Sequence, residues 1–152
     1  MPLFPKADAS TLVTLLAAGF AATLVWEIWA NYLTPLWIGG PLQPAGLVKS
    51  AFGISSDFWA QFIHFLTGFV AYPLGYLLVA LPVARGLPIR FPWPVIGFGY
   101  GVGLWVFAMY GMAHLVAGFP PFLGFGNLAW ASLVGHVLFG LAVAAVFAGR
   151  KA

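Results

Sequence analysis

Four ionisable side chains stand inside long apolar runs: Glu27, His64, His114 and His136. Glu27 is set between two tryptophans in "LVWEIWANYL" (24–33). Neutral imidazole ligates zinc, copper and iron, and a carboxylate either completes such a ligand set or orients a histidine through its other ring nitrogen. Two imidazoles on facing helices can instead hold a haem axially. The same groups can carry protons. His64 and His136 are the expected axial or metal-ligating pair, with Gly68, Gly135 and Gly140 giving a flat porphyrin room, Glu27 a ligand or base, and His114 a further ligand. The expected cofactor is haem b or a transition-metal ion. The plainer alternative is that each histidine bonds a neighbour and Glu27 pairs with His64 or His114 to hold helices together. Met109 and Met112 are soft donors but ordinary packing residues. Ser132 lies four residues before His136, yet no nucleophile elbow surrounds it, so no catalytic residue is assigned. The chain has no cysteine, which excludes disulfides and thiolate chemistry.

The elements that must position these residues follow from composition. Of 152 residues, 62% are hydrophobic and 6% charged, and the mean hydropathy is +1.00, values of an integral membrane protein rather than a soluble domain. Backbone polar groups in hydrocarbon must be satisfied internally, and strands of a barrel would alternate apolar with polar residues, which these do not. The expected fold is all-α, one domain of four transmembrane helices at about 11–33, 57–82, 94–117 and 128–148, each near the roughly 20 residues a bilayer requires. Asp8 or Ser10, Ser56 or Asp57, and Asn127 are placed to cap three of them, "FPWP" (91–94) opens the third, and Pro73 is expected to kink the second. The first apolar run is too long for a cleavable signal and is expected to remain as a span.

Lys6, Arg85, Arg90, Arg150 and Lys151 fall at the two ends and in the second connection, against Lys49 alone in the others. An up-down bundle with both termini cytoplasmic follows. A formal charge of +3 is too small and dispersed to indicate nucleic acid. The long first outer connection, 34–56, is expected to lie along the interface or fold over the bundle mouth, with "GFPPFLGFGN" (118–127) packed beside it.

Counting along the helices places Glu27 and His64 on the order of 10 Å below the outer boundary, with His136 deeper and His114 shallower. Polar and small residues recur at helical spacing: Thr23, Glu27, Asn31 and Thr34; Asp57, Gln61, His64, Gly68 and Gly75; Gly99, Gly103, Tyr110 and His114; Ser132, His136 and Gly140. Lipid should reject these stripes, so each is expected to face the bundle centre or a wet cavity. Gly97 with Gly101, and Gly99 with Gly103, are four apart and suit close helix approach, either within the chain or to another subunit.

"DFWAQFIHFLTGFVAYPLGYLL", a basic loop, then "GMAHLVAGFPPF" and "ASLVGHVLFGLAVA", resemble the YagU-like bacterial inner-membrane proteins over residues 57–148. The resemblance rests on His64, Pro120–Pro121 and Gly135–His136; His114 matches no family position. It implies a polytopic inner-membrane protein and favours His64 and His136, without naming a ligand. The leading expectation is therefore a bundle that binds haem or a transition metal in its outer half, for electron transfer or cofactor handling. The alternatives are a non-catalytic accessory subunit of a larger membrane complex, and proton or small-solute transport as a homo-oligomer.

Overall fold

The computed structural model describes residues 3–150, and its regular elements are helical with no strand among those residues. In chain order they are α1 (Ala9–Ile38), α2 (Pro44–Phe52), α3 (Asp57–Gly86), α4 (Trp93–Val116) and α5 (Asn127–Gly149). Four of them, α1, α3, α4 and α5, are long and apolar enough to cross a membrane. They match the expected spans closely: α1 and α3 run several residues beyond them, and α4 ends one residue short. Lys151, one of the basic residues counted for orientation, lies outside the described residues.

Local chemistry sets the helix ends. The Asp8 carboxylate accepts the Thr11 N–H at 2.8 Å, and the Ser56 hydroxyl accepts the Trp59 N–H at 3.3 Å, so each satisfies a donor that the first turn leaves open. Asn127 does not cap α5 as expected. The extended Gly126 precedes the first turn and its carbonyl accepts the N–H groups of Ala129 and Trp130, which makes Asn127 the first helical residue.

The prolines inside the spans widen the helix rather than break it. Wide π turns at 29–33, 67–71 and 76–80 each end two residues before a proline: Pro35, Pro73 and Pro82. The residue just before each proline donates to the carbonyl five back, Thr34 to Trp29, Tyr72 to Thr67 and Leu81 to Tyr76. A proline ring has no N–H and crowds the carbonyl four residues earlier, and the wider turn relieves both.

Small residues decide which helices touch. A Cβ on Gly101 would come within 2.5 Å of the His136 carbonyl oxygen, and one on Gly97 within 2.7 Å of the Ala144 Cβ, so α4 and α5 lie backbone to backbone and run in opposite directions. Gly19 of α1 meets the Phe69 backbone of α3 in the same way. Ala18, Ala22, Tyr76, Val143 and Ala144 fill the buried centre. Large apolar side chains such as Phe20, Leu24, Leu78, Phe98 and Phe107 point outward, as suits helices surrounded by hydrocarbon.

The expected inward stripe of α4 is corrected here. Gly99 and Gly103 face open space, Tyr110 is exposed on the same side, and Gly97 with Gly101 supply the contact. Both glycine pairs have identical spacing, so the choice between them is made by Gly140 and Ala144 on α5.

The first connection folds over one end of the bundle. The Leu42 N–H returns to the Ala30 carbonyl at 3.0 Å, and the Lys49 ammonium on α2 pairs with Asp57 at the start of α3. Leu47 of α2 packs with Phe122 and Leu123 of the last connection against Trp105 and Met109. The first and last connections thus share one apolar cluster, as anticipated. Phe122, Leu123 and Phe125 adopt left-handed φ of 51°, 49° and 54°. Ring stacking holds this turn, with Phe122 centred 4.8 Å from Trp105 and 5.0 Å from Phe125.

Candidate functional site

Under α2 a cavity of about 300 Å³ opens to one face of the bundle. Glu27 and Asn31 reach it from α1, Gln61 and His64 from α3, and Lys49 and Asp57 stand at its rim. The period of 3.6 places Glu27 and Asn31 one above the other on α1, and Asp57, Gln61 and His64 along one side of α3.

Glu27 Oε1 lies 3.0 Å from His64 Nε2, which makes a cross-helix pair. The Asn31 amide nitrogen donates to the other carboxylate oxygen at 2.9 Å and to the Glu27 carbonyl at 3.0 Å. The carboxylate is therefore oriented by two neighbours. The Glu27 side chain is 32% exposed and that of His64 14%, so the pair is reachable from the cavity but largely withdrawn from water. Charge on the walls is two carboxylates, Glu27 and Asp57, against the single ammonium of Lys49. With His64 neutral, the cavity is acidic and rich in oxygen acceptors. With His64 protonated, the Glu27–His64 pair is neutral.

The other two histidines stand apart. His136 Nδ1 donates to the Ser132 carbonyl at 2.8 Å, and its ring, 6% exposed, meets the edge of Trp26 at 4.8 Å between centroids. His114 Nδ1 donates to the Phe119 carbonyl at 2.7 Å and ties the end of α4 to the loop that follows. Neither lines the cavity of Glu27 and His64. The expected convergence of all four ionisable residues is thus reduced to one pair, and among the described residues no three His, Cys, Asp or Glu side chains gather as a metal ligand set.

The room expected for a porphyrin is taken by protein. A Cβ at Gly68 would sit 2.7 Å from the Thr23 hydroxyl, one at Gly135 2.7 Å from the Trp26 ring, and one at Gly140 2.3 Å from the Gly97 carbonyl oxygen. These glycines serve helix packing. The reason is physical: a glycine seen in sequence marks a close approach, but not whether the approaching atoms belong to a ligand or to another helix.

Lys49, Asp57 and Gln43 complete the cavity; Asp57 lies on the polar face expected of its span, whereas Lys49 and Gln43 were not expected there. A signal existed for two of them. In the sequence Lys49 is the one basic residue of the first and third connections, and Asp57 is the carboxylate nearest to it along the chain. No protein family, curated protein or solved structure matches the chain.

Proposed function

We propose that this chain is a bacterial inner-membrane protein, an up-down bundle with both termini cytoplasmic, whose Glu27–His64 pair takes a small organic cation from the outer face and gives up a proton in exchange. The observation that carries this reading is the carboxylate–imidazole pair at the wall of a half-open acidic cavity. A proton shared by the pair and an ammonium group seek the same carboxylate, so binding of one disfavours the other. Asn31, Gln61 and Gln43 offer amide oxygens to the donors of such a cation. The orientation is supported by Arg85 and Arg150 lining one cavity at the end opposite Lys49. The YagU-like resemblance supports the inner-membrane location.

A transition-metal ion is a weaker occupant, because Glu27 and His64 provide two ligands where three protein ligands are the common minimum. Haem b held by His64 and His136 has less support still, with the glycines around both filled. Calorimetry on the full-length protein in detergent, with methylammonium, guanidinium and Zn²⁺ as titrants, tests the assignment. Saturable binding of an organic cation that weakens about ten- to a hundredfold in Glu27→Gln is the expected result. Binding of none of them, or binding unchanged in Glu27→Gln, overturns it. A Zn²⁺ isotherm without an organic-cation isotherm also overturns it, in favour of a metal site.

A second reading, an accessory subunit of a larger complex or a homo-oligomer, is favoured by one feature. Gly99 and Gly103 form an outward small-residue stripe with nothing against it.

A further inference from the structure

The chain delivers one ammonium of its own to the cavity of Glu27 and His64. Gly53 ends α2 with a left-handed φ of 65°, and the Gly53 and Ile54 N–H groups both return to the Lys49 carbonyl, so the chain turns back sharply after the helix. That turn brings Lys49 to Asp57, and the two side chains pair at the cavity rim. The Lys49 side chain is the more withdrawn of the two, 34% exposed against 91% for Asp57. Asp57 and His64 lie about two turns apart on a regular stretch of α3, which sets the Asp57 carboxylate on the order of 10 Å along the helix from the Glu27–His64 pair. Gln61 lines the interval.

We infer that Lys49 is the specificity-determining residue of this cavity: its ammonium occupies Asp57, the second carboxylate, and reserves the site for an organic monocation against a diammonium. The inference rests on the cation site proposed above. With His64 neutral, the lining side chains carry two negative charges and one positive, which leaves one carboxylate, Glu27, for a ligand to neutralise. Without the lysine, both carboxylates would face one small space. A five-carbon diammonium with a hydrogen bond of about 2.8 Å at each end covers the distance between them. With Lys49 present, the second ammonium of such a ligand finds its carboxylate taken and meets a like charge. A site rejects the wrong ligand by a repulsive element of this kind.

Pentylammonium and 1,5-diaminopentane share one carbon chain and differ in the second ammonium, so the ratio of their affinities reads that group alone. Calorimetry on the full-length protein in uncharged detergent at low ionic strength gives the ratio. The wild type should bind pentylammonium at least as tightly as the diamine. Lys49→Gln should shift the ratio about fivefold toward the diamine, the upper range for an ion pair with an exposed partner, and the shift should shrink as salt is added. Lys49→Arg keeps the charge and should keep the wild-type ratio. Lys49→Gln with Asp57→Asn removes both charges and should return the ratio to within about twofold of the wild type. The inference alone is overturned if the wild type prefers the diamine, if Lys49→Gln leaves the ratio unchanged, if Lys49→Arg shifts it as Lys49→Gln does, or if the double variant keeps the gain. In each of these cases pentylammonium still binds and the cation site stands. A wild type that binds neither amine overturns the cation site and this inference with it.

Discussion

Glu27 Oε1 and His64 Nε2 lie 3.0 Å apart while 37 positions separate them in the chain. The contact joins α1 to α3, and Asn31 one turn further along α1 holds the second carboxylate oxygen. Asn31→Ala should therefore weaken cation binding about tenfold while the bundle stays folded, because a hydrogen bond to a charged group contributes about 1.5–3 kcal/mol. The measurement is calorimetry beside a thermal melt. Binding as tight as in the wild type would show that Asn31 does not position Glu27.

The two glycine pairs of α4 should respond oppositely to the same change. Gly101→Ala drives a methyl into the His136 backbone and should cost about 3 kcal/mol, the upper range of overpacking. Gly103→Ala adds a methyl to open space and should be neutral or stabilising by up to about 1 kcal/mol. Thermal unfolding of the two variants decides. Similar losses at both positions would mean that Gly103 meets a partner subunit, which the accessory or oligomeric reading requires.

Two tryptophans one turn apart on α1 give a further contrast. The Trp29 indole N–H donates to the Ala131 carbonyl at 2.9 Å, whereas that of Trp26 is buried with no partner among the described residues. Both replacements by Phe remove similar volume, so their difference isolates the hydrogen bond. Trp29→Phe should be the more destabilising by about 1 kcal/mol, since deleting an unpaired buried donor carries no bond loss. Equal melting temperatures would contradict this.

Asp8 links the stability of the first turn to pH. Its folded-state pKa is lowered from 3.8, chiefly by the Thr11 backbone N–H, so the cap is at full strength above the unfolded value and fades as pH falls through the lower folded value. Amide exchange at Thr11 should be slower in the wild type than in Asp8→Ala at pH 6, and the difference should shrink below about pH 3. A constant difference across that range would remove the carboxylate from the cap.

The architecture was legible in the sequence because hydrocarbon admits few solutions. Runs of apolar residues, with Asp8 and Ser56 before two of them, gave four helices within a few residues of their bounds. That Glu27 could pair with a histidine was also legible, and of the two offered, His64 and His114, the structure has His64, which lies at a similar depth on a face that lipid rejects. Helix rotation was not legible where polarity was weak. On α4 two glycine pairs offered equal evidence, and shape on α5 selected Gly97 and Gly101. His136 and His114 looked like ligands because an ionisable group in lipid demands a partner, yet a backbone carbonyl in their own helix or loop satisfies each. Such local bonds leave no mark in the spacing of residues. The π turns were equally hidden, although Pro35, Pro73 and Pro82 account for three of them; the one at 107–116 has no proline beside it.

The exchange of a proton for a cation at Glu27 and His64 is tested most directly by counting protons. Methylammonium is titrated into the full-length protein at one pH near neutrality in two buffers of different ionisation enthalpy, and the difference in apparent heat gives the protons released. Net proton release on binding is expected from the wild type, and none from Glu27→Gln. Binding without proton release in the wild type, or equal release from Glu27→Gln, would contradict the exchange.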